Sequence, residues 1–492
     1  MSASEKLLDA LRALSIEAHG PRIDVSFESL SLVINVPIAN TGITNVADSV
    51  TRFFSSAFST TKKRRLQVLD GVSGCLRAGT TTLVLGNGGG GKTSLLRRLS
   101  ARDTPGGTAP GEFGGRVLWN GETPDPIRAR KLAAFAPQFD IHEPLLTVRE
   151  TLTFAAASCL APLRADASDA ERTLRRDLVD LVIDMLDLRE CEGVVVGDEM
   201  RRGISGGQKK RVTIGETLLQ GARVLVLDEA TNGLDSATAM KIMRFIADWA
   251  RVTGGTVIAA LQAPTPEVLS VFSNVLVLSD GYCLYSGTPA GLEPYFAAKG
   301  YSCPDYMDIA DYTLALAVSP AYVQESFPTA DVGAPSVTAF TRESLAAEWR
   351  MKVKTEAERA ATMGGVVLTS KQHLAQFANG TAHSSLFHMK LLVSRQGKIV
   401  SRNPAVSFGR VFQFVVLGAL YGSVYYQIKL DDFVTKISAA MFAASTVSFA
   451  SFAEIPAIFV NQCEMQAPGT YNLRLSEALT PPPPPPPGRQ EK

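Results

Sequence analysis

An α/β domain with a mostly parallel sheet, followed by α-helical transmembrane segments, is the fold class this sequence predicts, and three observations carry it. Short Val, Leu and Ala runs alternate with helical stretches over residues 66–316, the pattern of strands covered by helices on both faces. One such strand, "TTLVL", runs through the glycine-rich turn Gly86–Thr93 directly into the helical stretch "SLLRRL". Far downstream, Val411–Ile428 carries no charged residue and is long enough to span a bilayer core of about 30 Å at about 1.5 Å per residue.

The elements follow in chain order. Residues 1–65 read as a polar extension with one strand-like alternation, "RIDVSFESLSLVI", and a basic knot, "KKRR". The first twenty residues are charged and at best amphipathic, so no signal peptide is predicted and the N-terminus is expected in the cytosol. Within residues 66–316, strands are expected at "TTLVLG", "ARVLVLDEA" and "GGTVIAALQ", helices at "KTSLLRRLSA" and "SATAMKIMRFIADWA", and a hairpin at "NVLVLSDGYCLYSG". Residues 317–385, rich in Ala, Ser, Thr and charge, read as a linker, and residues 386–405 as an amphipathic connecting helix.

Residues 406–475 read as a partial transmembrane domain with candidate helices at 411–428 and 437–460, the second interrupted by Glu454 and Pro456. A pair of buried helices in a soluble protein is the alternative for these two runs. Five Lys or Arg and no acidic residue between Leu386 and Arg410 put the preceding side in the cytosol, and Tyr421, Tyr425 and Tyr426 gather where an aromatic belt would sit. Residues 476–492 form a proline-rich tail; its seven consecutive prolines fit a stiff solvated segment or a truncated product. The 49 Lys and Arg balance the 48 Asp and Glu, so nothing in the bulk charge calls for a nucleic acid, and none is expected as a partner. The six cysteines form no C-x-x-C pair, which suits reduced thiols in a cytosol-facing chain.

The chemistry sits in three short stretches. Gly86, Asn87, Gly88, Gly89, Gly90, Gly91, Lys92 and Thr93 satisfy G-x-x-x-x-G-K-[ST] between a strand and a helix. Glycines let such a loop turn its N–H groups around an anion, the helix N-terminus adds its dipole, the lysine reaches the β and γ phosphates, and Thr93 offers its hydroxyl to Mg²⁺. A flexible glycine turn is the bland alternative. At the end of the apolar strand "VLVLD", Asp228 is suited to hold Mg²⁺ and Glu229 to polarise an attacking water; an acid pair capping a helix is the bland alternative. Between them, Ser205, Gly206, Gly207 and Gln208 form an S-x-x-Q capping box at the start of a basic helix, and its two glycines are more than a cap requires.

Taken together, Gly86–Thr93, "ISGGQ" with Ile204 in the usual Leu place, "VLVLDE", "GLDS" with Asp235, and Gln138 in "AFAPQFDIHEPLLTVRETL" resemble the Walker A, signature, Walker B, D-loop and Q-loop of an ABC transporter ATPase, in order and spacing. "LSDGYCLYSGTPAGLEPYFAAKGYSCPDYMDIADYTL" and "KLLVSRQGKIVSRNPA" resemble the G subfamily, and "PRIDVSFESLSLVINVPI" the first half of its pleiotropic drug resistance branch.

The resemblance implies a P-loop NTPase fold with a helical subdomain, binding ATP and Mg²⁺. Gly86 to Ser94 would wrap the phosphates. Thr93, Gln138 and Asp228 would serve the metal, with Glu229, Lys92 and Gln138 as the catalytic set. Ser205, Gly206, Gly207 and Gln208 would hold the nucleotide of a second ATPase half, either a homodimer partner or a C-terminal half.

A multi-pass membrane location, an exported small molecule as substrate and an ATPase domain in the cytosol are implied as well; a truncated, membrane-tethered ATP-binding regulator is the alternative. Two departures stand out. Leu261 occupies or adjoins the place of the family's switch histidine, and leucine can neither donate to a γ-phosphate nor orient water. No aromatic lies between Phe58 and Phe113 to stack on adenine, which leaves Val68 to pack on the base.

Overall fold

The structure, a computed structural model, describes residues 2–17, 22–37, 63–102, 111–124, 129–130, 132–160, 169–319, 323, 344, 347–349, 351, 384–424, 437–438 and 441. In chain order its elements are α1 (Ala3–Glu17), β1 (Val25–Pro37), β2 (Lys63–Leu76), β3 (Thr81–Gly86), α2 (Lys92–Leu99), β4 (Gly111–Trp119), β5 (Ala133–Ala136), α3 (Val148–Cys159), α4 (Asp169–Met185), α5 (Gly206–Leu219), β6 (Val224–Asp228), α6 (Ser236–Thr253), β7 (Thr256–Ala260), α7 (Pro266–Val271), β8 (Asn274–Ser279), β9 (Tyr282–Gly287), α8 (Leu292–Ala297), α9 (Ile309–Val318), α10 (Ser385–Arg402) and α11 (Pro404–Val424). They fall into two compact units, residues 1–138 with 221–380 and residues 139–220 with 381–492.

The first unit holds both sheets. The larger runs β5-β6-β7-β3-β8-β9, parallel through β8, with β9 returning antiparallel. Its strands β3, β5, β6 and β7 are buried along their whole length, which is why they read as continuous apolar runs without alternation. The helix α2 packs Leu95, Leu96 and Leu99 into the core beside β6 and β7. Asp235 caps α6 by accepting the Thr238 N–H at 2.9 Å, and Gly254 ends that helix in the left-handed region.

The second sheet, β2-β1-β4, is antiparallel. Its middle strand is the alternation read as part of a polar extension, and a bulge explains how Val25, Phe27, Leu30 and Leu32 all reach the core. Val25 and Phe27 are odd-numbered and buried; Leu30 and Leu32 are even-numbered and also buried. The parity changes across Ser29, which lies at φ 49, where the pairing with both neighbours shifts register.

Among the described residues of the second unit the regular elements are helices. A complete capping box starts α3: Glu150 N–H donates to the Thr147 hydroxyl at 3.2 Å and Thr147 N–H to the Glu150 carboxylate at 3.0 Å. Gly215 lets α5 approach closely, since a Cβ there would lie 2.9 Å from both Leu152 and Leu186. The predicted amphipathic stretch is α10, which docks by its charged face: Arg402 clasps both oxygens of Glu150, the longer contact at 2.9 Å, and donates to Leu145 O at 2.8 Å. Lys398 lies 3.2 Å from Glu150, and Arg395 stacks over Phe154 at 5.3 Å. Leu386, Met389, Val393 and Val400 share the opposite side and are exposed.

The membrane-spanning expectation is not met in the described residues. Among them no helix is long and apolar enough to cross a membrane. The first candidate, 411–428, coincides with α11, Pro404–Val424, only as far as Val424; residues 425–428 lie outside the described residues. Apart from residues 437–438 and 441, the second candidate lies outside the described residues, as do most of the linker and the proline tail.

Candidate nucleotide site

The first unit gathers Gly86–Ser94, Gln138, Asp228 and Glu229 at the carboxyl ends of β3, β5 and β6, where open α/β sheets hold their ligands. The loop Gly86–Gly91 leaves β3 and enters α2, whose N-cap is Gly91 at φ 95. Any side chain there would be strained, and a Cβ would meet Val68 O at 2.7 Å. Gly90 is required for a different reason: the carboxamide oxygen of Asn87 occupies the space a side chain would need. Ser94 lies in the first turn of α2.

Lys92 is buried at the mouth of this loop. Its ammonium donates to Gly86 O at 2.7 Å and Asn87 O at 3.0 Å, so the loop's own carbonyls fix its direction. Burial pulls the Lys92 pKa below the ordinary lysine value, opposed by the carboxylates of Glu229 and Asp228.

Asp228 ends β6 with a side chain only 1% exposed, and both of its carboxylate oxygens are buried with no hydrogen-bond partner among the described residues. Burial pushes its pKa up; the nearby Thr93 hydroxyl, Arg97 and Lys92 oppose this, while Glu229 adds to it. A buried carboxylate so poorly satisfied is what a hydrated divalent cation relieves. The residues therefore fit Mg²⁺, with Asp228 and the Thr93 hydroxyl beside it.

Glu229 follows at φ 51, an unusual conformation for a residue with a side chain. Its amide donates to Ala260 O at 2.8 Å, which fixes the backbone, and its carboxylate accepts from Gln138 Nε2 at 2.9 Å. The structure thus brings Gln138, 91 residues away, onto the acid that the sequence pairs with a water. Leu261 directly follows Ala260 and is buried, so an apolar side chain stands next to the residue that anchors Glu229. Val68 is half-buried at the loop, its carbonyl packed against Gly91 and Gly281.

Ser205, Gly206, Gly207 and Gln208 belong to the second unit. There the predicted capping box is complete, with Gln208 N–H donating to Ser205 Oγ at 3.2 Å and Ser205 N–H to Gln208 Oε1 at 2.8 Å. Ser205 and Gly206 are exposed at the start of α5. One residue in contact with the loop escaped sequence reasoning: Asp280, whose carboxylate accepts from Asn87 Nδ2 at 3.0 Å. Its signal was the Asp-Gly pair of the expected hairpin, a turn cue that says nothing of what the turn touches.

Residues 69–232 match the ABC transporter family. Over 485 residues the chain is 28% identical to ABC transporter G family member 35 of Oryza sativa subsp. japonica, covering 89% of this chain and 32% of that relative. It is 30% identical over 489 residues to G family member 36 of Oryza sativa subsp. indica, covering 92% and 33%. With G family member 38 of Arabidopsis thaliana the identity is 27% over 483 residues, covering 90% and 33%. The chain spans about a third of the length of these curated relatives. Phosphate loop, buried acid and matched relatives converge: the chain carries an ATP-binding, ATP-hydrolysing ABC transporter ATPase domain related to the G family.

Proposed function

We propose that this chain supplies the ATPase of a G family exporter, coupling ATP hydrolysis to movement of a small molecule such as a lipid, xenobiotic or secondary metabolite across a membrane. The observation that carries the reading is the meeting of the carbonyl-held Lys92, the unsatisfied Asp228 and the Gln138–Glu229 pair at one loop. In this reading the N–H groups of Gly86–Ser94 bind the phosphates and Lys92 leaves its carbonyl partners for the β and γ oxygens. Thr93 and Asp228 hold Mg²⁺, with Gln138 at the metal and water; when bound, the metal neutralises charge on the transferring phosphoryl group. Glu229 accepts the proton of the attacking water.

Ser205, Gly206, Gly207 and Gln208 act on the nucleotide of a second ATPase half, whether a second copy or a further half of a longer protein. Closure of that pair on ATP is the two-state event that drives transport. The G family relatives support a multi-pass membrane location with this ATPase in the cytosol, and the exposed apolar line of α10 suits a helix lying along the bilayer surface.

Replacing Lys92 by Ala tests the cradle. ATP affinity of the purified chain, measured by titration calorimetry, should fall at least about tenfold, the loss expected when a buried charge-assisted contact to phosphate is removed. Equal affinity in variant and parent would contradict the assignment.

A further inference from the structure

The turn between β8 and β9 has only two residues, Asp280 at φ 45 and Gly281 at φ 86. Both are left-handed, as the tightest hairpin connection demands. This turn reaches the phosphate loop. Gly281 N–H donates to Gly90 O at 3.3 Å, Gly281 O accepts from Asp70 N–H at 2.9 Å, and a Cβ on Gly281 would meet Val68 O at 2.5 Å. The turn is thus wedged between the loop and β2.

Asn87 ties the wedge to the lysine. Its side-chain Nδ2 donates to Asp280 Oδ1 at 3.0 Å, while its carbonyl accepts from Lys92 Nζ at 3.0 Å and from Gly90 N–H at 3.1 Å. One residue therefore links the hairpin carboxylate, the loop backbone and the ammonium. A loop of consecutive glycines has much conformational freedom to lose on binding, and a contact that holds it in shape beforehand moves that cost from binding to folding.

From this geometry we propose that Asp280 is a positioning residue for the phosphate loop, acting through Asn87 to set the affinity of the chain for ATP; the proposal rests on reading Gly86–Thr93 as the ATP cradle. Its carboxylate is not required as a charge. An acceptor at that point suffices, and a neutral one adds no repulsion toward the incoming phosphates.

The test uses the purified full chain, with ATP affinity measured by calorimetry in EDTA and KM and kcat measured with Mg²⁺. Asp280→Gly keeps the left-handed turn and removes the acceptor, so ATP should bind about five- to tenfold more weakly, with KM raised to match and kcat within about twofold, on the scale of one lost charge-assisted hydrogen bond partly open to solvent. Asn87→Ala should show the same loss, and the double variant should lose no more than either alone. Asp280→Asn, which tolerates the turn and keeps an acceptor, should stay within about twofold of the parent.

Parental affinity in Asp280→Gly, additive losses in the double variant, or a fall in kcat at unchanged KM would overturn the proposal. Lys92→Ala separates the two readings. If it binds ATP as the parent does, the cradle itself falls; if it fails to bind while Asp280→Gly binds normally, only the role of Asp280 falls.

Discussion

Each residue of the phosphate loop has its own physical reason for being what it is, and those reasons can be told apart by substitution. Gly91 lies at φ 95 with a backbone carbonyl 2.7 Å from where a Cβ would sit, whereas Gly88 has nothing within 4 Å of that point and no left-handed backbone. Gly91→Ala should therefore destabilise the chain by about 2 kcal/mol or more, read as a lowered urea midpoint. Gly88→Ala should leave that midpoint in place, and equal shifts for the two would show that the loop shape described for Gly91 is wrong.

The residues that spacing revealed were those whose chemistry is local: Lys92 and Thr93 follow their glycines, and Asp228 and Glu229 end a strand. The contacts that spacing could not reveal are long-range. Asn87 and Asp280 are 193 residues apart, and Gln138 meets Glu229 across 91; only the folded sheet brings them together. The left-handed backbone of Glu229 was equally silent, since nothing in "LDEAT" announces it.

Among the elements, period and capping were the legible signals. The buried strands β3, β6 and β7 were read from unbroken apolar runs, and the hairpin β8–β9 from the stretch "NVLVLSDGYCLYSG". The partnership of β1 with β2 and β4 was not legible, because a bulge at Ser29 breaks the alternation and pairing partners lie far off in sequence. The docking of α10 on α3 was hidden for the same reason, and it is the element contact most open to test.

Glu150 completes a capping box while receiving Arg402 and Lys398. Burial works against its charge, but these partners and the Thr147 amide overcome it and lower its pKa from 4.5 to about 2. A depressed carboxylate contributes stability that is present above pH 4.5 and is lost as pH falls through about 2. Its basic partners are 35% and 49% exposed, so solvent screening reduces the effect. Glu150→Gln, which keeps the cap acceptor, should then cost about 1–2 kcal/mol near neutral pH and nothing near pH 2. Urea unfolding of parent and variant across that range checks this, and a difference that did not change with pH would sink the ion-pair account.

For the whole molecule, ATP turnover is the property in which loop, acid and glutamine must act together. The ATPase class was legible in the order and spacing of its motifs, and the family match over residues 69–232 agrees with it. The membrane segments were less legible: α11 ends at Val424 in the described residues, and the chain spans about a third of its G family relatives. In the proposed mechanism Glu229 carries the proton transfer, beside the buried Leu261. The most direct measurement is phosphate release from ATP by the purified full chain, compared with Glu229→Gln, alongside ATP binding by both. The account predicts that the variant binds ATP at least as tightly as the parent and releases phosphate at least about a hundredfold more slowly, the scale of losing a general base. Turnover at the parental rate in Glu229→Gln would contradict it.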